Sequence, residues 1–130
     1  MPESNELASQ VQAMRIELED VSQMTEALLR SSGAELEARI LDFLQRDDVA
    51  TRIFELTDGV RSQLEISRLL KADGLNSDKS KVSRTIELLR DEHRLLIKSR
   101  SKGGSAVYRH SKLTKALHID RTIARRRKRS

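Results

Sequence analysis

Residues 74–111 read GLNSDKSKVSRTIELLRDEHRLLIKSRSKGGSAVYRHS, and this stretch decides the fold. Val82, Ile86 and Leu89 share one face of a helix, and Ser80, Lys81, Arg84 and Glu87 lie on the far side. The spacing predicts a helix from about Asp78 to His93, with Asn76 or Ser77 as its N-cap. LLIKSR and AVYRHS then read as two short strands joined through Ser101–Ser105, because Gly103 and Gly104 permit the positive φ angles of a hairpin turn. An amphipathic basic helix therefore runs at once into a basic hairpin.

Upstream, Ser62 followed by Glu65 has the spacing of a capping box, and Ile66, Leu69 and Leu70 supply the buried side of a short helix ending near Lys71–Gly74. Before it, Leu36, Ile40, Phe43 and Leu44 recur at helical spacing from about Ala34, and Val49, Ile53 and Leu56 do so after Asp47-Asp48. Asp47-Asp48 offers an N-cap and Gly59 a stop, which leaves open whether residues 34–58 form one bent helix or two. After the hairpin, Leu113, Ala116, Leu117 and Ile119 suggest a closing helix.

Residues 7–28 follow a different period. Leu7, Val11, Met14, Leu18, Val21 and Leu28 alternate steps of four and three, with Thr25 in the one gap, which is the seam of a coiled coil. The seam predicts self-association of the chain; the plainer reading is a helix lying along its own domain. Ser31-Ser32-Gly33 ends the pattern. Three segments result: a dimerising helix over 1–32, a compact domain over 34–119 and a basic tail over 120–130.

Charge divides the chain the same way. Residues 1–50 carry 4 Lys/Arg against 11 Asp/Glu, whereas residues 51–130 carry 21 against 9. The second half is suited to a polyanion such as nucleic acid or an anionic membrane. Aromatic residues make up only 2% (Phe43, Phe54 and Tyr108), so the core is expected to be small and aliphatic, and platforms for stacking unpaired bases are nearly absent. Duplex DNA is favoured over RNA on that ground. The tail RTIARRRKRS holds six Lys/Arg in ten residues, a self-repelling block expected to be disordered when free and to lie on a polyanion.

Helix, capped helix, turn, basic helix and hairpin in this order resemble a winged helix-turn-helix domain of the MarR-like and ArsR-like transcription-regulator kind. The resemblance covers residues 48–110 and rests on DDVATRIFELTDGVRSQLEISRLL, SDKSKVSRTIELLRDEHRLLI and KSRSKGGSAVYR. It implies a mainly α fold with a small β-hairpin wing, whose third helix enters the major groove. Ser80, Lys81, Ser83 and Arg84 are then the expected readers of base edges or adjacent phosphates, Arg84 being suited to a bidentate contact with guanine. Lys79 is expected on a phosphate, and Lys98, Arg100, Lys102 and Arg109 along the flanking backbone or minor groove. Ser62 and Gln63 would add phosphate contacts at a helix N-terminus, and Arg125, Arg126, Arg127, Lys128 and Arg129 a basic arm.

Other chemistry has less support. There is no cysteine, and His93, His110 and His118 are scattered, so metal sensing of the ArsR kind is not expected. No phosphate loop, paired ligand set or nucleophile elbow appears, which predicts a non-enzymatic protein without a cofactor. No apolar run reaches spanning length and the N-terminus lacks signal-peptide layout, so a cytoplasmic, nucleoid-associated protein is expected. The leading expectation is a homodimeric, sequence-selective regulator on double-stranded DNA; the alternatives are an oligomerising architectural DNA-binding protein and a winged-helix protein-interaction module.

Overall fold

The computed structural model describes residues 2–30, 32–75 and 78–129. It is mainly helical with one small antiparallel hairpin. The order is α1 (Pro2–Arg30), α2 (Gly33–Arg46), α3 (Asp48–Leu56), α4 (Gln63–Ala72), α5 (Lys79–Glu87), a π-helical turn (Leu88–Glu92), β1 (Leu96–Lys102), β2 (Ser105–His110), α6 (Lys112–Ala116) and α7 (Ile119–Arg129).

Side-chain caps set the helix starts. Ser32 accepts from the Glu35 amide to open α2, and Asp47 both ends α2 and caps α3 through the Ala50 amide. Residues 34–58 are therefore two helices, because the Asp47 backbone is extended (φ −133°) and cannot continue the first. The Ser62–Glu65 capping box of α4 forms in both directions. The cap of α5 is Asp78, whose Oδ1 accepts from the Lys81 amide at 2.7 Å; the proposed caps Asn76 and Ser77 lie outside the described residues.

Helix α5 does not stay regular to His93. After Glu87 it widens into the π-helical turn, and Arg94, at φ 56°, reverses the chain into β1. The hairpin closes on Gly103 (φ 57°) and Gly104 (φ 79°), the two consecutive positive φ angles of a two-residue turn. An irregularity between Lys98 and Arg100 shifts the pairing register, and the Ser99 hydroxyl donates there to the Val107 carbonyl. Val107 also bridges to Ser62, which docks the hairpin on the start of α4.

The core is aliphatic, as composition implies. Ile40, Leu44, Ile53, Ile66, Leu70, Ile86, Leu89, Leu95, Leu96, Leu113 and Ile119 are fully buried around Phe54. His110 stacks on Phe54 with ring centroids 4.2 Å apart, and its Nε2 lies 2.8 Å from the Phe54 carbonyl. Burial pushes the His110 pKa below the ordinary value, against the smaller opposing effect of that hydrogen bond. His93 stacks on Phe43 and is likewise pushed down by burial.

Three findings concern the ends of the chain. Helix α1 does lie along its own domain: Ala27 and Asp20 are buried against it and Met24 packs on the core. Its heptad seam points the other way, with Leu7, Val11, Met14, Leu18, Val21 and Leu28 between 40% and 69% exposed. The tail expected to be disordered is instead the helix α7, anchored by buried Ile119 and Ile123. Basic side chains at a helix C-terminus interact favourably with the carbonyl end of the helix dipole, which offsets part of their mutual repulsion. The single closing helix is broken in two at His118, whose φ is 56°.

Candidate nucleic-acid interface

The outer side of α5 is built by the burial of its inner side. Val82, Thr85 and Ile86 are buried, and the Thr85 hydroxyl is satisfied by the Lys81 carbonyl at 2.8 Å. Lys79, Ser80 and Arg84 are consequently exposed, and Lys81 and Ser83 half-buried. None of the cations Lys79, Lys81 and Arg84 is in an ion pair among the described residues. Arg90, at the end of this helical stretch, donates to Tyr108 Oη at 3.3 Å and so ties it to β2. On β1, Lys98 and Arg100 are exposed.

Several expected contact residues are committed elsewhere. Ser62 is 4% exposed and its hydroxyl accepts from the Glu65 amide, so its side chain is part of the fold and not of a surface. The Leu64 amide donates to Ser105 Oγ at 3.1 Å, so two of the first donors of α4 are already used; half-buried Gln63 is left at its edge. Lys102 Nζ lies 2.9 Å from Glu65 Oε1, pinning the hairpin tip to α4. That contact, with the Ser62 amide, holds the Glu65 carboxyl down to about 2.

Arg109 is turned inward, away from the hairpin's free edge. Its guanidinium donates to Asp20 Oδ2 at 3.0 Å and to Glu17 Oε1 at 3.1 Å, both on α1. Asp20 is only 1% exposed, and its other oxygen accepts from the Lys112 amide at 2.9 Å, the first amide of α6. Lys112 Nζ also reaches Glu17, at 3.0 Å. A second clasp joins Arg94 to Glu26 at 2.7 Å and to the Gln23 carbonyl. These acids lie off the seam of α1, and no local pattern in the sequence singles them out.

The basic tail does not converge on α5. Arg127 pairs with Glu55 of α3, and Arg126 is also engaged. Arg125 and Lys128 are exposed and outside any ion pair among the described residues, as is Arg121, which sequence reasoning left out of the contact set. Arg129 ends the helix, and its side chain lies outside the described residues.

An open, mixed-charge cleft near the C-terminus of α3 gathers Asp58, His110, Lys112, Lys115 and Asp120. Its charges are largely consumed internally, Lys115 by Asp120 at 2.7 Å and Lys112 by Glu17. No described helix is long and apolar enough to cross a membrane. No family model, curated protein or solved structure matches the chain.

Proposed function

We propose that the protein binds double-stranded DNA as a homodimeric regulator, with α5 in the major groove and the β1–β2 hairpin as a flanking wing. The observation that carries this reading is the outer side of α5: Lys79, Ser80 and Arg84 are exposed donors on a helix whose other side is buried. A helix fits the major groove, where base edges present a distinguishable donor and acceptor pattern. Lys98 and Arg100 would neutralise backbone phosphates beside it, and the winged-helix resemblance supplies the arrangement.

Dimerisation through α1 accounts for the exposed seam. A row of six large apolar side chains in water is costly, and a second copy would cover it symmetrically. The acidic helix would then stay remote from DNA, while the Arg109 and Arg94 clasps hold it fixed relative to the domain. Two recognition helices in one dimer meet half-sites about 34 Å apart or a multiple of that.

The test is a titration of the protein against a randomised duplex pool at low and physiological salt, with sequencing of the bound fraction. An inverted repeat is the expected product. Salt-sensitive binding without enrichment would favour an architectural protein, and absence of binding at both salts would leave a protein-interaction module.

A further inference from the structure

The position of α7 gives its charges a role separate from α5. At 100° per residue, Ile119 and Ile123 fall on one side of this helix and Arg121, Arg125 and Lys128 on the other. Burial follows that division, with both isoleucines inside and the three cations exposed. Helix α7 docks on α3 by the side that carries Glu55, and Asp48, Thr51 and Glu55 line the cleft where it lies with Ile123 and Arg127. Those residues are opposite Val49, Ala50 and Ile53 on the buried side of α3, and α3 also contacts α5.

Helix α3 packs against both α5 and α7, and the side it gives to α7 is the one turned away from the core. With interaxial distances of 8–10 Å for each packed pair and side chains beyond, outer sides on opposite sides of α3 would be about 25–30 Å apart. At that separation one straight duplex engaged by α5 would not reach the α7 stripe. We propose that Arg121, Arg125 and Lys128 form a second phosphate-binding face that holds a second DNA duplex, so that a single chain bridges two. The inference rests on the DNA-binding reading of α5 given above.

The chemistry favours a nucleic-acid backbone as occupant. The three cations recur at i, i+4 and i+7 over about 10 Å, suited to a row of phosphates, and no ion pair neutralises them among the described residues. A membrane-surface helix needs its apolar side free to enter the lipid, and here that side is spent on the protein's own core. The helix carries no aromatic side chain on which unpaired bases could stack, so duplex is preferred to single strands.

The experiment is a sandwich capture with the full-length protein. One duplex is fixed to beads, the protein is added, and recovery of a second, labelled duplex is measured across a salt series. The comparison is with the triple variant Arg121→Gln, Arg125→Gln, Lys128→Gln, whose helicity is checked by circular dichroism. The expected result is retention on the first duplex with at least tenfold less capture of the second, and a log–log salt slope for capture shallower by about 3.

Undiminished capture by the variant would overturn the proposal and assign bridging to the dimer. Equal loss of both duplexes would overturn it by placing α7 on the same face as α5. Wild-type protein that binds the first duplex but captures no second would also overturn it. Failure to bind any duplex would remove the DNA reading itself, a different and separable outcome.

Discussion

Single residues divide into those free to meet a partner and those already engaged. Arg84 is exposed and outside any ion pair among the described residues, so Arg84→Ala is expected to leave the fold intact, relax site preference and cost about 1–3 kcal/mol at a cognate site; quantitative DNA-binding titration checks it. Asp20 is the opposite case. It is buried, accepts from Arg109 and from the Lys112 amide, and joins α1 to the hairpin base. Asp20→Ala is expected to lower stability by about 1–3 kcal/mol by stranding those donors, as read by chemical denaturation. An unchanged midpoint would mean that α1 is held without Asp20, by Ala27, Met24, the Glu17 pairs with Arg109 and Lys112, and the Arg94–Glu26 clasp. Neither role of Asp20 nor that of Arg109 is legible locally, since the partners are 89 residues apart.

At the scale of elements, α1 and the hairpin each make a testable claim. Leu18 is 69% exposed in the middle of the seam, so Leu18→Glu removes no core packing. Sedimentation equilibrium is expected to show a dimer for the wild type and a monomer for the variant at equal helicity; a monomeric wild type would withdraw the seam. The hairpin tip hangs on Glu65, whose carboxyl is pulled down to about 2, chiefly by Lys102 and then by the Ser62 amide. A depressed native pKa stabilises the fold above the unfolded carboxylate range of about 4.3, and that contribution is lost as pH falls toward about 2. Thermal melts from neutral pH to pH 2 should fall more steeply for the wild type than for Glu65→Gln; parallel curves would mean that the tie contributes nothing. The capping box was legible because it spans four residues, whereas the Lys102 contact crosses 37.

For the whole molecule, two half-buried histidines tie folding to pH. His110 and His93 both have native pKa values lowered by burial, so the unfolded chain takes up protons that the folded chain refuses. Stability is fully present above the unfolded histidine value of about 6.5 and is lost as pH falls from there toward the native values. Denaturation midpoints should therefore drop between pH 7.5 and 5.5. His110→Gln should flatten that dependence in part, His93 supplying the remainder, while an unaltered slope would exclude His110 as a source. Lys115 opposes protonation of His110, and Asp120 and Asp58 favour it, so burial sets the sign.

Local pattern and long-range packing contributed different things to this protein. The sequence by itself determined the helical periodicity through α5, the caps at Asp47 and Ser62, the inner side of α5 and the Gly103-Gly104 turn, because each depends on neighbours within about four residues. The aliphatic core followed from composition and period together. Only the tertiary structure decided which cations remain available. Arg109, Lys102 and Arg127 look like the other basic residues in the sequence, but each meets an acid from a distant element, Asp20, Glu65 and Glu55. It also turned the tail from a disordered arm into α7, since Ile119 and Ile123 gain a buried site only once α2 and α3 are packed to receive them. Helical periodicity is a property of the chain alone, whereas charge pairing and the docking of a short helix require a surface that folding creates.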